Sequence, residues 1–573
     1  IRLLRPRLGS EKTILPLHGE QTAATQMETF DSYEGGKIII ATNVAQTSLT
    51  FPDIDVVLDC GYGRSKDIKD DVEGLYVEPV SVATQEQRRG RVGRTKPGIY
   101  HRVDMPGMPQ FPTEEQRELY DKPEIARQRL DSIVLRLANA NIGVGGLDYY
   151  FEPDKDSVES AIGRLRKIGA LALDGTITEI GTEMAYMPLE PNYARMIVTS
   201  RMYGMDVRIQ TIAAIVVQQD DGITVSSADS KVRWKKLTKE KSSDVLSNLD
   251  IFVEALRMDE EERQRHAIVE KKFLKAKEAF EELCKREELD YSLISSPTDS
   301  QRADIRSCII SGADELYLHL GGNAYRDIRG KKRHIGKKSS IGGNRELLIG
   351  APFNLSHASE TGQFERRFIR GATIVGAKAL VEFAPERCDY EEIGFTLEND
   401  GTVRVKKAVT FDGIDTGTHV VESAKPSARV RDFIIQNLVD GPYQNANLTN
   451  TVALRQNLQK LHDLQQRTKE PLHIPIAAAL IKENLRDYIP ETVATVEEIN
   501  AYIPEYPASL FISPEQQQQI IESSPNHIMV GDKRVRVRYK DGDAYILLNA
   551  GYAIPQEIPE LSEHDIYIGF KNT

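Results

Sequence analysis

Short apolar runs separated by polar loops set the pattern of the first hundred residues. Runs of β-branched residues occupy 38–41 and 56–59, and a further run over 14–20 ends in a turn. Such runs are typical of parallel strands buried on both faces of a sheet. Apolar or small residues at helical spacing predict one helix over 21–33: Ala24, Met27, Phe30 and Tyr33. We expect residues 1–105 to form one α/β lobe.

The pattern changes to helix, helix and hairpin over residues 106–205. One helix is predicted within 123–143, and a second begins with Asp156 or Ser157 as its N-cap. Gly169 stands where a helix-ending glycine belongs, and Asp174 followed by Gly175 indicates a hairpin turn. This order predicts a winged-helix domain. The buried stripe of its second helix is Val158, Ala161, Ile162, Leu165 and Ile168.

Three further regions follow. Residues 206–318 are helical in pattern, and 319–395 switch to short strands with glycine-rich joints. Residues 396–573 form an α+β extension, in which one strand has a basic face of Arg534, Arg536 and Arg538. One helix of 206–318 has a Lys and Glu face, interpreted as solvated, opposite an apolar stripe: Val269, Phe273, Ala276, Phe280 and Leu283.

Composition narrows the class of protein. The 573 residues, 40% of them apolar, suffice for several packed domains. No apolar run approaches the ~20 residues that cross a bilayer, and no signal peptide opens the sequence. The formal net charge of -12 argues against indiscriminate binding to polyanions. We expect a cytoplasmic protein without membrane contact, metal site or disulfides, because its cysteines are scattered: Cys60, Cys284, Cys308 and Cys388.

The octet QRRGRVGR, residues 87–94, is the strongest chemical signal. Arg88, Arg91 and Arg94 can share one side of a helical turn, while Gly90 and Gly93 keep the other side thin. Each guanidinium is a charged, planar fork of donors that fits phosphate oxygens. The octet therefore predicts a phosphate site, and a solvated basic surface helix is the alternative.

Two motifs at matching separation carry a family resemblance. The stretch ATNVAQTSLT, residues 41–50, and the octet resemble motifs V and VI of superfamily 2 helicases of the DEAH/RHA branch. The segment 177–198 resembles the winged-helix signature of the same branch. Arg89 and Val92, where that branch has alanine, are also found in viral relatives, which lack the 177–198 segment. The placement of the helical residues 206–318 resembles that of the family's ratchet domain, and the short strands of 319–395 suit the small OB-like β-barrel that follows the ratchet in the family. The long extension resembles, less specifically, that of bacterial HrpB-type helicases.

The resemblance implies roles for individual residues. In the family the second RecA-like lobe donates a glutamine and two arginines to ATP, which match Gln87, Arg91 and Arg94, with Arg88 as a weaker candidate. The turn that holds Gly19 touches the nucleic-acid backbone in the family. The motif V residues that match nucleic-acid contacts are Thr42, Asn43 and Thr47, and Ser48 is expected to couple nucleotide to strand. Turn capping is the alternative for these hydroxyls.

The chain contains no GxxxxGK[ST] phosphate loop and no DEAH tetrad. In the family those motifs belong to the first RecA-like lobe, which binds most of ATP and Mg²⁺. We therefore expect the chain to begin inside a domain of the enzyme at Ile1. By itself, the chain is expected to bind its ligands but not to hydrolyse ATP. Residues 62–80, around Lys69, Asp70 and Asp71, resemble the β-hairpin that projects from the second lobe.

A basic segment over 326–338 is expected to form a flexible loop on the barrel. Its phosphate-contact candidates are Arg329, Lys331, Lys332 and Arg333, with disorder as the alternative. Trp234, among lysines, could stack on a base or be a partly buried anchor.

Together these expectations give one hypothesis: the chain is the C-terminal portion of an ATP-dependent RNA helicase. Its partners would be single-stranded or structured RNA and an activator protein at the OB-like domain, and the protein would be a monomer. Two alternatives stay open: a non-enzymatic nucleic-acid-binding scaffold, and a helicase of DNA or of a virus.

Overall fold

The computed structural model describes two compact units. One comprises Ile1–Asp389 with Thr410–Thr416, and the other Tyr390–Val409 with Gly417–Thr573. The described residues are 4–8, 12–19, 21, 23–46, 49–219, 221–225, 233–336, 338–342, 347–359, 362–440, 449–470, 472, 474–503, 512–549 and 557–571.

Parallel strand pairs open the first unit. Strand β1 (Thr13–Leu17) pairs with β2 (Lys37–Ala41), and β3 (Val56–Asp59) pairs with β6 (Ile99–Arg102). The predicted strands and their parallel direction are confirmed. The prediction that they are buried on both faces is wrong, because each strand has one neighbour and Leu58 is 70% exposed. The helices of this region are α1 (Arg5–Leu8), α2 (Ala23–Met27) and α3 (Val82–Arg89).

A β-hairpin, β4 (Tyr62–Lys69) and β5 (Val72–Pro79), interrupts this lobe as predicted. Its turn residues, Asp70 and Asp71, have φ of 52° and 59°, the left-handed conformation that tight hairpin turns require. The hairpin is docked, because β5 pairs in parallel with the long strand β10 (Leu347–Ser359). Gly74 permits this contact, since a Cβ there would lie 2.7 Å from the Asn354 carbonyl oxygen.

The next region has the predicted helices and turn. It contains α4 (Asp131–Asn139), α5 (Lys155–Lys167), α6 (Glu179–Ala185) and α7 (Pro191–Ser200). The N-cap of α5 is Asp154 rather than Asp156 or Ser157, because its carboxylate accepts the Ser157 N–H at 2.9 Å. Gly169 has φ of 72°, as expected of a residue that ends a helix, and Leu171 bridges Ile177 across the Asp174 turn.

Helices make up most of the described residues between 205 and 311. The predicted apolar stripe is buried from Phe273 to Leu283, on the helix Glu270–Arg286. The Lys and Glu residues of that helix face outward. Trp234 is 2% exposed, so it is a buried anchor and not a stacking platform. The helices are α8 (Met205–Gln219), α9 (Asp244–Ala255), α10 (Glu260–Arg265), α11 (Glu270–Arg286) and α12 (Asp299–Ser311).

A closed five-strand barrel follows. Besides β10, its strands are β7 (Glu315–Gly321), β8 (Ala324–Arg326), β9 (Lys332–Ile335) and β11 (Gly362–Ile374). They pair in the order β7-β8-β9-β11-β10, and β10 returns to pair with β7. Tyr317, Tyr325 and Leu348 are wholly buried inside the barrel. Helix α13 (Ala377–Phe383) follows it.

The second unit is α+β, as predicted. A sheet of β12 (Cys388–Leu397), β13 (Val403–Phe411) and β14 (Ile414–Ser423) precedes a helical core, and a four-stranded sheet ends the chain. The helices are α14 (Ala428–Val439), α15 (Thr449–Gln465), α16 (Ile474–Tyr488), α17 (Val496–Asn500) and α18 (Pro514–Ser523). The last strands are β15 (His527–Val530), β16 (Lys533–Lys540), β17 (Asp543–Asn549) and β18 (Ile566–Lys571). The domain boundaries at 105, 205, 318 and 395 stay predictions.

Candidate functional site

Helix α3 and the turn after it present the arginine octet. The helix is capped by Ser81, whose hydroxyl accepts the Thr84 N–H at 3.1 Å. It ends at Arg89, with Gly90 as its C-cap, and Gly93 takes the left-handed φ of 81°. The prediction that one helical turn carries all three phosphate-facing arginines is therefore wrong. Arg91 and Arg94 lie in the turn that follows the helix, and only Arg88 lies in the helix itself.

The Arg88 side chain is held by buried groups. Its guanidinium lies 2.9 Å from Asp59 Oδ1 and donates to the Tyr62 carbonyl at 3.1 Å. The other Asp59 oxygen accepts from the Tyr100 hydroxyl at 2.9 Å. Burial, followed by this hydrogen bond and the Asp59 charge, raises the pKa of Tyr100 to about 12. Arg88 is thus neutralised by a buried carboxylate, which leaves it poorly suited to hold a phosphate.

Arg91 and Arg94 contact only uncharged oxygens in their recorded hydrogen bonds. Arg91 donates to the Leu49 carbonyl at 2.7 Å and the Gln87 carbonyl at 3.2 Å. Arg94 donates to the Thr50 hydroxyl at 2.9 Å and the Gly90 carbonyl at 3.1 Å. Burial, and then the charge of Arg94, lowers the pKa of Arg91. Among the described residues, two positive charges are thus held near each other without a carboxylate partner, an arrangement that a bound anion would stabilise.

Gln46 joins the two motifs and was not singled out from the sequence. Its amide nitrogen lies 3.4 Å from Gln87 Oε1 and 3.4 Å from Thr84 Oγ1, and its oxygen accepts from Arg88 Nε at 3.4 Å. These are long hydrogen bonds. The signal available in the sequence was only that Gln46 stands in the polar loop of motif V.

The carboxyl ends of β1 and β2 bring the predicted backbone contacts to one edge. Thr42 and Asn43 are exposed just after β2, and Gly19 is exposed two residues after β1. The Thr42 N–H donates to the Leu17 carbonyl at 3.0 Å, which ties the two strand ends together. Open α/β sheets bind ligands at such an edge. The Gly19 carbonyl accepts from Lys271 Nζ at 2.7 Å. Thr47 and Ser48 lie outside the described residues.

Residues 324–335, which include most of the basic segment, form a hairpin of β8 and β9, so the prediction of a flexible loop is wrong. Arg333 in β9 is 1% exposed and pairs with Asp327 at 2.8 Å and Asn354 at 3.0 Å. A phosphate contact from Arg333 is therefore also wrong, because its guanidinium points inward to satisfy a buried carboxylate. Lys332, one residue earlier, is exposed.

The neighbouring candidates are paired. Arg329 forms an ion pair with Glu315 at 2.6 Å, and Lys331 forms one with Asp70 of the hairpin turn at 2.5 Å. The exposed Lys332 is the member of the set best placed to reach a phosphate.

Neither a metal-binding cluster nor a membrane-spanning helix occurs among the described residues. Across the described ranges, no group of three or more His, Cys, Asp or Glu side chains could hold a metal ion. No helix in the described part of the chain is long and apolar enough to span a bilayer.

With this geometry established, comparison with known proteins is informative. Residues 2–96 match the helicase conserved C-terminal domain. The chain resembles the C-terminal portion of DEAH-type ATP-dependent RNA helicases. The helicase domain found by this match contains both motifs and ends just after the arginine octet.

Individual relatives agree with this family. The chain is 26% identical over 338 residues to the ATP-dependent RNA helicase HrpA of Escherichia coli, which covers 54% of this chain and 24% of HrpA. It is 35% identical over 214 residues to the mouse ATP-dependent RNA helicase DHX33, which covers 35% of this chain and 30% of DHX33. The chain thus spans about a quarter to about a third of the length of these helicases.

One solved structure shares the fold. The crystal structure of the E. coli DExH-box NTPase HrpB aligns with 99% of this chain and 65% of HrpB, with a TM-score of 0.51 and 18% sequence identity. The α/β lobe, the mixed sheets and the closed five-strand barrel therefore form an HrpB-like helicase fold.

Proposed function

We propose that this chain is the part of an ATP-dependent RNA helicase that senses nucleotide and grips RNA. The observation that carries the proposal is the difference in charge partners within one octet. Arg88 is neutralised by Asp59, whereas Arg91 and Arg94 rest on carbonyl and hydroxyl oxygens. Their charges therefore remain available to phosphate oxygens.

In this proposal Gln87, Arg91 and Arg94 donate to the terminal phosphate of ATP and stabilise the charge on it. Gln87 and Arg94 are exposed, and Arg91 is half-buried, so all three can be reached by a ligand. Charge that develops on phosphate oxygens is stabilised most by donors already held in place. Bound Mg²⁺ would supply further neutralisation of phosphate charge, and we propose that the residues that hold it belong to the first RecA-like lobe.

RNA is proposed to follow the edge formed by the ends of β1 and β2, at Gly19, Thr42 and Asn43. Thr47 and Ser48 belong to the same proposed path, and Lys332 on the barrel adds a phosphate contact. The domain order of lobe, winged helix, helical region, OB-like barrel and extension is part of this proposal. So are a cytoplasmic location, a monomeric state and an activator protein at the barrel.

Without a phosphate loop or a DExH motif in its sequence, the chain supplies one half of the nucleotide cleft. We propose that it binds RNA but does not turn over ATP by itself. A reading frame upstream of Ile1 that encodes both motifs would support this division, and a frame without them would favour a non-enzymatic binding protein.

The RNA path is tested with the Thr42→Ala and Asn43→Ala double variant. Anisotropy of a labelled oligouridine should show weaker binding, by about thirtyfold, because two polar contacts to the backbone are lost at ~1 kcal/mol each. Arg89→Ala is the control, since Arg89 is exposed, paired with Glu86 and outside the proposed path. Equal affinities for the double variant and the control would contradict the proposed path.

A further inference from the structure

The C-terminal sheet of strands β15 to β18 has two faces of different chemistry. One face is the core of this part of the chain, formed by Val537, Ile546 and Leu548 with their neighbours. The other face is exposed among the described residues. Its members alternate with the core residues along each strand: His527, Met529, Arg534, Arg536, Arg538, Tyr545, Leu547 and Tyr567.

Three arginines form a line on this open face. Arg534, Arg536 and Arg538 are all exposed, and they stand every second residue along β16, roughly 6.8 Å apart. In the described part of the chain none of the three has a recorded ion pair with a carboxylate. The nearby acids Asp543 and Asp565 are both paired with Lys469. A row of like charges without partners disfavours the free protein and favours an anionic ligand.

Two tyrosines continue this line across the sheet. Tyr545 is the cross-strand partner of Arg538, and Tyr567 is the partner of Tyr545. The two rings are stacked, with centroids 5.0 Å apart and planes 12° apart. They are 38% and 51% exposed, so they form a π surface that solvent reaches. A base can extend such a stack.

We propose that this open face, here called the Arg-Tyr face, binds single-stranded RNA. The strand's phosphates would contact the row of arginines, and its bases would stack against Tyr567 and Tyr545. Aromatic side chains on a sheet bind unpaired bases, and arginines bind the backbone. A duplex keeps its bases stacked within itself and does not offer them to tyrosine. A protein partner would instead have to bury three like charges.

The proposal does not rest on the nucleotide site or on the RNA path of the first unit. All of its residues lie in the second unit, and the chemistry is that of the Arg-Tyr face alone. The two ideas can therefore fail separately. The full chain is the correct material for the test, and the position of the bound strand is the decisive readout.

The test is photocrosslinking of a 4-thiouridine oligonucleotide to the full chain, followed by mass spectrometry. We expect crosslinked peptides that contain Tyr545 or Tyr567, and we expect them to persist in the Thr42→Ala and Asn43→Ala double variant. The Tyr545→Ala and Tyr567→Ala double variant should lose these crosslinks. Its affinity, measured in the Thr42 and Asn43 variant background, should fall roughly 5- to 100-fold.

Matched variants separate binding from folding. Tyr545→Phe with Tyr567→Phe keeps the rings and should keep both crosslinks and affinity. Tyr488→Ala removes another exposed tyrosine of the same unit, 66% exposed, and should change neither. Arg536→Gln should reduce the dependence of affinity on salt concentration. The proposal is overturned if the crosslinks never map to the Arg-Tyr face, if the Tyr545→Ala and Tyr567→Ala double variant binds normally, or if duplex RNA competes as well as the single strand.

Discussion

At the scale of single residues, what distinguishes one arginine from another is its partner. Arg88 and Arg333 are held by the carboxylates of Asp59 and Asp327, whereas Arg91 and Arg94 are held by uncharged oxygens. Spacing in the sequence predicted a phosphate site in the octet but could not rank its members. Asp59 is 29 residues from Arg88, and nothing local marks it as the partner.

The burial of Arg333 leads to a stability prediction. Arg333→Ala leaves Asp327 buried without a countercharge, which should cost about 3–5 kcal/mol of unfolding free energy. Lys332→Ala, at the exposed neighbouring position, should cost almost nothing. Scanning calorimetry should show a lower midpoint for the first unit in Arg333→Ala alone. Equal midpoints in the two variants would mean that the Arg333–Asp327 pair is not a buried structural contact.

At the scale of elements, features that depend on neighbouring residues were predicted correctly, whereas pairings between distant segments were not predicted. The hairpin at 62–79, the stripe on α11 and the glycine after α5 all follow from periodicity and turn chemistry. The docking of the hairpin on β10 does not, because it joins Tyr76 to Asn354 across 278 residues. The hairpin, which was expected to project from the α/β lobe, adds a strand pair to the sheet of the barrel.

Arg164 on α5 fastens the tip of this hairpin. It contacts Asp71 at 2.5 Å and pairs bidentately with the buried Asp131 at 2.8 and 2.9 Å. Arg164→Ala should therefore speed hydrogen exchange across β4 and β5, because the tip loses its anchor and Asp131 loses a partner. Lys331→Ala removes only the exposed pair with Asp70 and should leave exchange nearly unchanged. Similar exchange in both variants would show that the Arg164 network does not hold the hairpin.

At the scale of the whole molecule, the chain combines a helicase C-terminal domain with a closed barrel and an α+β extension. The motifs predicted the helicase lobe, and the strand pattern predicted a small β-barrel, but closure of β10 on β7 depends on long-range pairing. The extension was predicted only as α+β. Its basic strand face was visible in the alternation of Arg and Val, whereas the stacked tyrosines beside it come from strands that no turn signal connects.

The central claim is that Arg91 completes a nucleotide site shared with a phosphate-loop lobe. The most direct measurement is RNA-stimulated ATP hydrolysis by a protein that joins residues 1–573 to that lobe, with the chain alone as reference. We predict that Arg91→Ala lowers kcat by roughly 10³-fold or more, as loss of an arginine finger does, while Arg89→Ala retains it. The chain alone should hydrolyse no more ATP than its own Arg91→Ala variant. Undiminished kcat in Arg91→Ala, or turnover by the chain alone above that control, would contradict the account.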